Sequence, residues 1–465
     1  MTVHDRPRAA TETALRELRA LLGARLLETD AARDAHSRDE AHHAPARPDA
    51  VALPVTTAEV SEIVRICAAA GLPVIPWGVG TSLEGQVIPA RGGVTLDFQR
   101  MSRVLAVNTD DLDCVVQPGA TRKQLNEHLR DTGLFFAVDP GADATIGGMA
   151  ATRASGTNAV RYGTMRETVL ALEAVMADGR VIRTGTRARK SAAGYDLTRL
   201  LVGSEGTLGI ITEITLRLHG QPEAASAAVC AFPDIDAAVN ATILTMQMGL
   251  PVARIELLDE VQIRAVNAYS QMDLEEKPTL FLEFHGTEAA VAETAERVGE
   301  IAAEHGASGF RWATRPEERN RLWAARHSAY WAGKALRPGA KGWVTDACVP
   351  ISRLAECIAE TKADLAESPL LAPLVGHVGD GNFHLAILLD PDDPMERAEA
   401  ERLSARIAER ALRLGGTVTG EHGVGVGKKV YMRAEHGAAL GVMAAIKRAL
   451  DPHDILNPGK IVDPG

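Results

Sequence analysis

Two histidines and a glycine-bracketed polar pair are the residues of this chain best suited to chemistry. His377 and His384 flank the run Val378-Gly379-Asp380-Gly381-Asn382-Phe383. Gly-Asp-Gly is a turn signal, and the residues after it, 383–389, read as a strand. A sharp turn can bring both imidazoles to one centre. Further on stands Gly420-Glu421-His422-Gly423. Two imidazoles and one carboxylate form a facial set that holds a divalent transition metal and leaves positions open for substrate. The reading assigns His377, His384 and Glu421 as ligands, with Zn, Mn or Fe equally suited to the set. His422 is left beside the metal without being needed by it, which is where a general base would sit. The plainer alternative stays open at this point, because a histidine in a strand is more often a packed residue than a ligand.

Three glycine-rich segments suggest a second kind of site. Trp77-Gly78-Val79-Gly80-Thr81-Ser82-Leu83-Glu84-Gly85 directly follows a short apolar run, 73–76, that reads as a strand. Glycines let backbone N–H groups approach an anion, and Thr81 and Ser82 add hydroxyls, so the loop can cradle a pyrophosphate. It is not the Rossmann fingerprint, since Leu83 stands where the last glycine is required. Pro140-Gly141-Ala142-Asp143-Ala144-Thr145-Ile146-Gly147-Gly148 opens a stretch of small residues running to Gly163. Gly203-Ser204-Glu205-Gly206-Thr207-Leu208-Gly209-Ile210 is the third segment. Small residues at this density let backbone press against something large and flat; tight turns and close helix packing are the competing readings. Gly423-Val424-Gly425-Val426-Gly427-Lys428-Lys429 imitates a Walker loop, but His422 occupies the first glycine position and Lys429 the Ser/Thr position, which argues against ATP.

The totals narrow the function. The chain has 465 residues, enough for two or more domains, and a net charge of -11 that disfavours nucleic acid as a partner. No apolar run approaches the roughly 18 residues of a membrane span. Met1–Ala10 lacks the apolar core of a secretory signal, and Glu12 and Glu17 follow its arginines, so the expected location is cytoplasmic. The five cysteines are scattered and none forms Cys-x-x-Cys, which excludes the usual iron–sulfur and covalent haem signatures. A redox enzyme of this kind must pass its electrons to a partner.

These residues need positioning elements. Leu15, Leu18, Leu21 and Leu22 lie at helical spacing. Thr56 with Glu59 predicts a capping box, and Val60, Ile63, Val64 and Cys67 line one face of the helix that follows. A helix is expected over about 121–131. A hairpin is expected over 169–176 and 181–184 around Asp178-Gly179. His36, His42 and His43 lie in a polar, proline-containing stretch that reads as solvated loop. After Gln221-Pro222, strands and longer helices alternate in an α+β pattern. Arg321 and Arg326 fall on a helix, where a solvated basic face is the default. Helices over 392–414 and 440–450 precede Asn457-Pro458-Gly459-Lys460.

Taken together, these residues resemble a known family. Segments 77–85, 140–163 and 203–211 are similar to the FAD-contacting segments of vanillyl-alcohol-oxidase-type flavoproteins. Segments 376–384 and 420–423 resemble the metal segment of the FAD-linked D-2-hydroxyacid dehydrogenases within that group. The resemblance runs from about Pro54 to Lys460. It implies an α+β fold: a two-subdomain FAD-binding domain of vanillyl-alcohol-oxidase/PCMH type over 1–220, an α+β cap over 221–430, and a segment, 431–465, returning to the FAD domain. It implies FAD contacts at Trp77, Gly78, Val79, Gly80, Thr81, Ser82, Leu83, Gly85, Pro140, Gly141, Ala144, Thr145, Gly147, Gly148, Ala151, Thr152, Ser155, Gly156, Glu205, Gly206, Gly209, Ile210, Ile211 and Asn457. With no histidine in 77–85, the FAD is expected to be non-covalent. Arg326 is expected to grip the substrate carboxylate, Asn382 to add a hydrogen bond, and His422 to take the hydroxyl proton. The implied substrate is D-lactate or another short D-2-hydroxy acid, because Val344 stands where members acting on D-2-hydroxyglutarate carry a lysine, although Lys341 is near. The implied acceptor is a cytochrome, quinone or electron-transfer protein, with peripheral membrane association compatible. The alternatives are D-2-hydroxyglutarate oxidation, the flavin subunit of a multi-subunit glycolate oxidase, and a metal-free oxidase of the same fold.

Overall fold

The computed structural model describes residues 8–465; residues 1–7, on which the reading of the N-terminus partly rests, lie outside the described residues. The chain divides into two compact units. One comprises the chain up to Ser155, Gly163–Gln221 and Glu421–Gly465; the other comprises Gly156–Tyr162 and Pro222–Gly420.

The first unit is built on two larger sheets. Four strands are ordered Leu26–Leu27, Ala50–Ala52, Val94–Asp97, Val74–Trp77, the last three parallel. Helix Thr57–Ala69 packs its stripe of Val60, Ile63, Val64 and Cys67 into the same core as Val74 and Val94. Thr56 caps this helix by accepting the Glu59 N–H at 3.2 Å. The reciprocal half of the expected box is absent. Glu59 instead accepts two bonds from Arg25 at 2.6 Å and one from the Val55 N–H, because a charged fork outcompetes a neutral amide. The second sheet is antiparallel, ordered Val104–Asn108, Asp113–Val116, Ile210–Arg217, Val169–Val175, Val181–Thr184. Its last two strands form the hairpin read from Asp178-Gly179. Helix Arg122–Leu129 starts at a complete capping box of Thr121 and Gln124. The C-terminal segment is tied to the first sheet: Val74 N–H donates to Ile455 O at 2.8 Å and Asn457 N–H to Val74 O at 2.9 Å.

The second unit carries one antiparallel sheet of eight strands. Seven run in the order Ser308–Ala313, Ala224–Ala231, Thr279–Gly286, Val252–Leu258, Leu374–His377, Asn382–Leu389, Lys341–Val344, and Ala347–Cys348 also pairs with Asn382–Leu389. Alternation sorts its residues into two faces. Ile255, Leu257, Leu374, Phe383, Leu385 and Ile387 point one way and pack on helices Ile235–Gln247, Glu288–Glu304, Leu354–Ala366 and Pro394–Arg413. The register pairs Leu258 with Val375, Val375 with His384, His377 with Asn382, and Val344 with Ala386. Glu256, His377, Asn382, His384 and Val344 therefore share the opposite face. Lys341 pairs with Leu389 and so lies on the helix-covered side, exposed at the sheet edge. Helix Pro316–His327 lies against part of the polar face, with Leu322 and Trp323 packed beside Leu258 and Val229.

The reading of His36 as a solvated loop residue does not hold. Its Nε2 lies 3.1 Å from Asp97 Oδ2 and its ring 4.8 Å from that of Trp77. The polar stretch around it folds back onto the end of the first sheet, which local composition does not reveal.

Candidate active site

On the polar face of the second unit, His377 ends one strand and His384 lies early in the next. The turn between them is closed by glycines. Gly381 has φ +77, and a Cβ there would lie 2.1 Å from Val349 O; a Cβ on Gly379 would lie 2.6 Å from Ile255. The two imidazoles meet edge to face with centroids 5.4 Å apart. Each is anchored through Nδ1, His377 to Glu256 Oε1 at 2.7 Å and His384 to Thr345 O at 3.0 Å. An Nδ1–H that donates to an oxygen leaves Nε2 as the nitrogen that carries the lone pair, as in metal-ligating histidines.

Glu256 is almost fully buried and serves two partners. Besides His377 it accepts from Arg326 Nε at 3.1 Å and Nη2 at 2.5 Å. Burial pushes its carboxyl up, but His377 and Arg326 outweigh burial and hold it below the usual carboxylate range. Arg326, expected on the substrate carboxylate, is buried and spends its Nε and Nη2 on Glu256, behind the His377 imidazole. Asn382 is likewise committed: its Nδ2 donates to Asp346 Oδ1 at 2.7 Å and Ala347 O at 2.8 Å. Asp346 in turn accepts from Thr419 Oγ1 at 2.7 Å. Gly420 is pressed against Asn382, where a Cβ would lie 2.4 Å from Nδ2. Chain connectivity then sets the Glu421 Cα about 3.8 Å from that of Gly420.

In the first unit, the three glycine-rich segments come together. A Cβ on Gly78 would lie 2.2 Å from Thr145 Oγ1, and one on Gly206 would lie 2.3 Å from Pro76. Gly147 N–H donates to Pro118 O at 2.8 Å, Gly203 N–H to Ala150 O at 2.9 Å and Glu205 N–H to Ala151 O at 2.9 Å. Trp77, Gly78, Thr145, Gly147, Ala151 and Gly206 thus belong to one surface. Ser204 Oγ is buried beside it with no hydrogen-bond partner among the described residues, as expected of a hydroxyl that faces a bound group. The cradle fits a dinucleotide. Two residues expected on FAD also make bonds within the protein. Glu205 accepts from Val424 N–H at 2.6 Å and Gly425 N–H at 2.9 Å. Asn457 Nδ2 donates to Gln86 O at 2.9 Å and Glu205 O at 2.7 Å. His422 sits in the same loop, its carbonyl accepting from Gln86 Nε2 at 2.7 Å.

Sequence reasoning overlooked Glu256, Asp346 and Gln86. Glu256 had a signal: Arg254 and Glu256 recur with period two in an otherwise apolar strand, Val252–Leu258. Asp346 and Gln86 had none, since their partners lie far away in sequence.

Comparison with known proteins identifies the family. The FAD binding domain family matches residues 48–185, and the C-terminal domain of FAD linked oxidases matches residues 221–461. A probable mitochondrial D-lactate dehydrogenase of Danio rerio is 51% identical, covering 98% of this chain and 93% of its own length. A mitochondrial D-lactate dehydrogenase (cytochrome) of Arabidopsis thaliana is 50% identical, covering 91% of this chain and 75% of its own length. The glycolate oxidase subunit GlcD of Bacillus subtilis is 35% identical, covering 93% of both. Substrate-bound p-cresol methylhydroxylase superposes with a TM-score of 0.81 at 18% identity, over 99% of this chain and 98% of that one. The 4-ethylphenol oxidase of Gulosibacter chungangensis gives 0.80 at 19% identity, over 99% of both. At such identities the likeness is one of fold, the vanillyl-alcohol-oxidase/PCMH type expected from the resemblance. One expectation is overturned. The D-lactate dehydrogenases of D. rerio and A. thaliana are named mitochondrial, which speaks against a cytoplasmic chain. That expectation rested on a missing apolar core, which diagnoses secretion signals only, and on Glu12 and Glu17 following the arginines, which weighed against the acid-poor, arginine-rich pattern of a mitochondrial transit segment. Among the described residues, no helix is long and apolar enough to cross a membrane.

Proposed function

We infer the activity from family and site together: the chain belongs to the FAD-linked oxidases, and we read it as an FAD-linked dehydrogenase that oxidises D-lactate, and other short D-2-hydroxy acids, to the 2-oxo acid. Electrons go on to an external acceptor, a cytochrome, quinone or electron-transfer protein. The observation that carries this reading is the 51% identity to a probable D-lactate dehydrogenase across 98% of the chain. FAD held by segments 77–85, 140–156 and 203–211 supplies the two-electron acceptor. We assign His377, His384 and Glu421 as ligands of a divalent Zn, Mn or Fe ion, which would supply Lewis acidity at the substrate hydroxyl. The Nδ1 anchors of both imidazoles support that assignment.

The chain's own residues handle the proton and the orientation. His422 accepts the hydroxyl proton as general base. Glu256 holds the His377 ring, and Arg326 keeps Glu256 ionised behind it. Asp346, Asn382 and Thr419 brace the backbone leading to Glu421. Val344 supports a substrate without a second carboxylate: it shares the face of His384, and Lys341 lies on the other face. An unpaired buried carboxylate there would be costly. A second reading, the flavin subunit of a multi-subunit glycolate oxidase, has the 35% identity of the B. subtilis subunit in its favour. It requires that the isolated chain be inactive.

Two variants test the assignments. His377→Ala is expected to lose the metal, measured by elemental analysis, and turnover, while retaining FAD. His422→Asn is expected to keep both metal and FAD and to lose about 10²–10⁴-fold in kcat. Metal lost from His422→Asn, or wild-type turnover in either variant, would contradict the roles given.

A further inference from the structure

Glu205 is a buried acid that the proposed chemistry does not use. It lies in the third glycine-rich segment with φ +52, a left-handed conformation uncommon outside glycine. Its side chain is 3% exposed. Both carboxylate oxygens are spent on one short stretch: Oε1 accepts from the Val424 N–H at 2.6 Å, and Oε2 from the Gly425 N–H at 2.9 Å. Gly423, with φ +84, is so close that a Cβ would lie 2.5 Å from Glu205 Oε1. These are the residues that directly follow His422.

Two neighbours complete the mount. Gln86 Nε2 donates to the His422 carbonyl at 2.7 Å, and its Oε1 accepts from the Glu84 N–H at 3.1 Å. Asn457, itself at φ +39, donates to the carbonyls of both Gln86 and Glu205, at 2.9 and 2.7 Å. Three of these bonds reach the backbone from the His422 carbonyl to Gly425, and the others hold Gln86 and Glu205 in place. A carboxylate accepting two backbone N–H groups in a buried site is a strong, directional clamp. Burial raises the carboxyl, and with the Val424, Gly425 and Gln86 donors and the Lys460 charge offsetting part of that rise it is pushed up to about 7.

We infer that Glu205 is a positioning residue for His422, fixing the backbone that carries the imidazole relative to the flavin cradle, with Gln86 and Asn457 as its supports. This rests on the reading of His422 as the general base. The consequence is that proton transfer depends on a carboxylate whose two oxygens are spent on the backbone that follows His422. Glu205→Gln keeps the volume but offers a single acceptor oxygen to two N–H groups, leaving one buried donor facing an NH2.

The test is a double-mutant cycle with His422→Asn on FAD- and metal-replete protein, using D-lactate and a dye acceptor. Glu205→Gln is expected to retain flavin at wild-type stoichiometry by its absorbance, to keep KM within about threefold, and to lose about 10- to 100-fold in kcat. In the His422→Asn background the same change is expected to cost less than about threefold, because the group it positions is gone. Gln86→Leu should reproduce the pattern if Glu205→Gln fails to fold. Loss of flavin in proportion to activity would overturn the inference and make Glu205 a cofactor residue. An equal cost in both backgrounds would also overturn it, while leaving the base assignment standing. Wild-type turnover in His422→Asn alone would remove the base reading and this inference with it.

Discussion

Glu256 shows how one carboxylate sets the chemistry of its neighbours. It accepts from His377 and from the buried Arg326, so two ionisable groups depend on one side chain. Removing its charge leaves the guanidinium buried and unpaired, a change that typically costs about 3–5 kcal/mol. It also frees the His377 ring to rotate, and loss of such an outer partner typically costs about 10–100-fold in metal affinity. Glu256→Gln is therefore expected to lower the thermal midpoint and to weaken metal retention in dialysis against a chelator, with flavin content unchanged. A stable variant that holds metal like the wild type would show that His377 needs no such partner. The histidines, glycines and acids of the site were legible in the sequence because they cluster locally. Glu256 was not, because it is adjacent to His377 only through the pairing of Leu257 with Gly376 in the folded sheet.

At the scale of the element, alternation in the strands decides which side chains can meet substrate. Val344 and His384 face one way and Lys341 the other. Placing a lysine on the polar face should supply the missing cation for a second carboxylate. Val344→Lys is expected to raise kcat/KM for D-2-hydroxyglutarate relative to D-lactate by at least about tenfold, as pairing an otherwise unpaired buried charge does. Lys341→Ala is expected to leave that ratio unchanged. A drop in hydroxyglutarate efficiency with Lys341→Ala would place the distal anchor there and defeat the argument from register. The helix stripe 60–67, the cap at Thr121 and the Asp178-Gly179 hairpin were readable in advance, since each is specified within a few residues. The half-formed box at Thr56 and the burial of His36 were not. Both are decided by distant partners, Arg25 and Asp97, that local sequence cannot show.

Across the whole molecule, the flavin cradle and the histidine pair are built by different logics. The cradle draws on segments near residues 78, 145 and 206, brought together because only glycine fits where they touch. The histidine pair lies within eight residues of chain and is held by its sheet. Glycine clustering made the cradle legible, and the turn made the pair legible; the bonds that Arg326, Glu205 and Asn457 make within the fold were not legible, because their partners are distant in sequence. The central claim is that the isolated chain oxidises D-lactate. The measurement that tests it most directly is a steady-state comparison of D-lactate, L-lactate, glycolate and D-2-hydroxyglutarate, on FAD- and metal-replete protein with one dye acceptor. The account predicts the highest kcat/KM for D-lactate, with L-lactate and D-2-hydroxyglutarate each lower by at least about 100-fold. Equal or higher efficiency with D-2-hydroxyglutarate, or no turnover of any of the four by flavin-loaded protein, would contradict it.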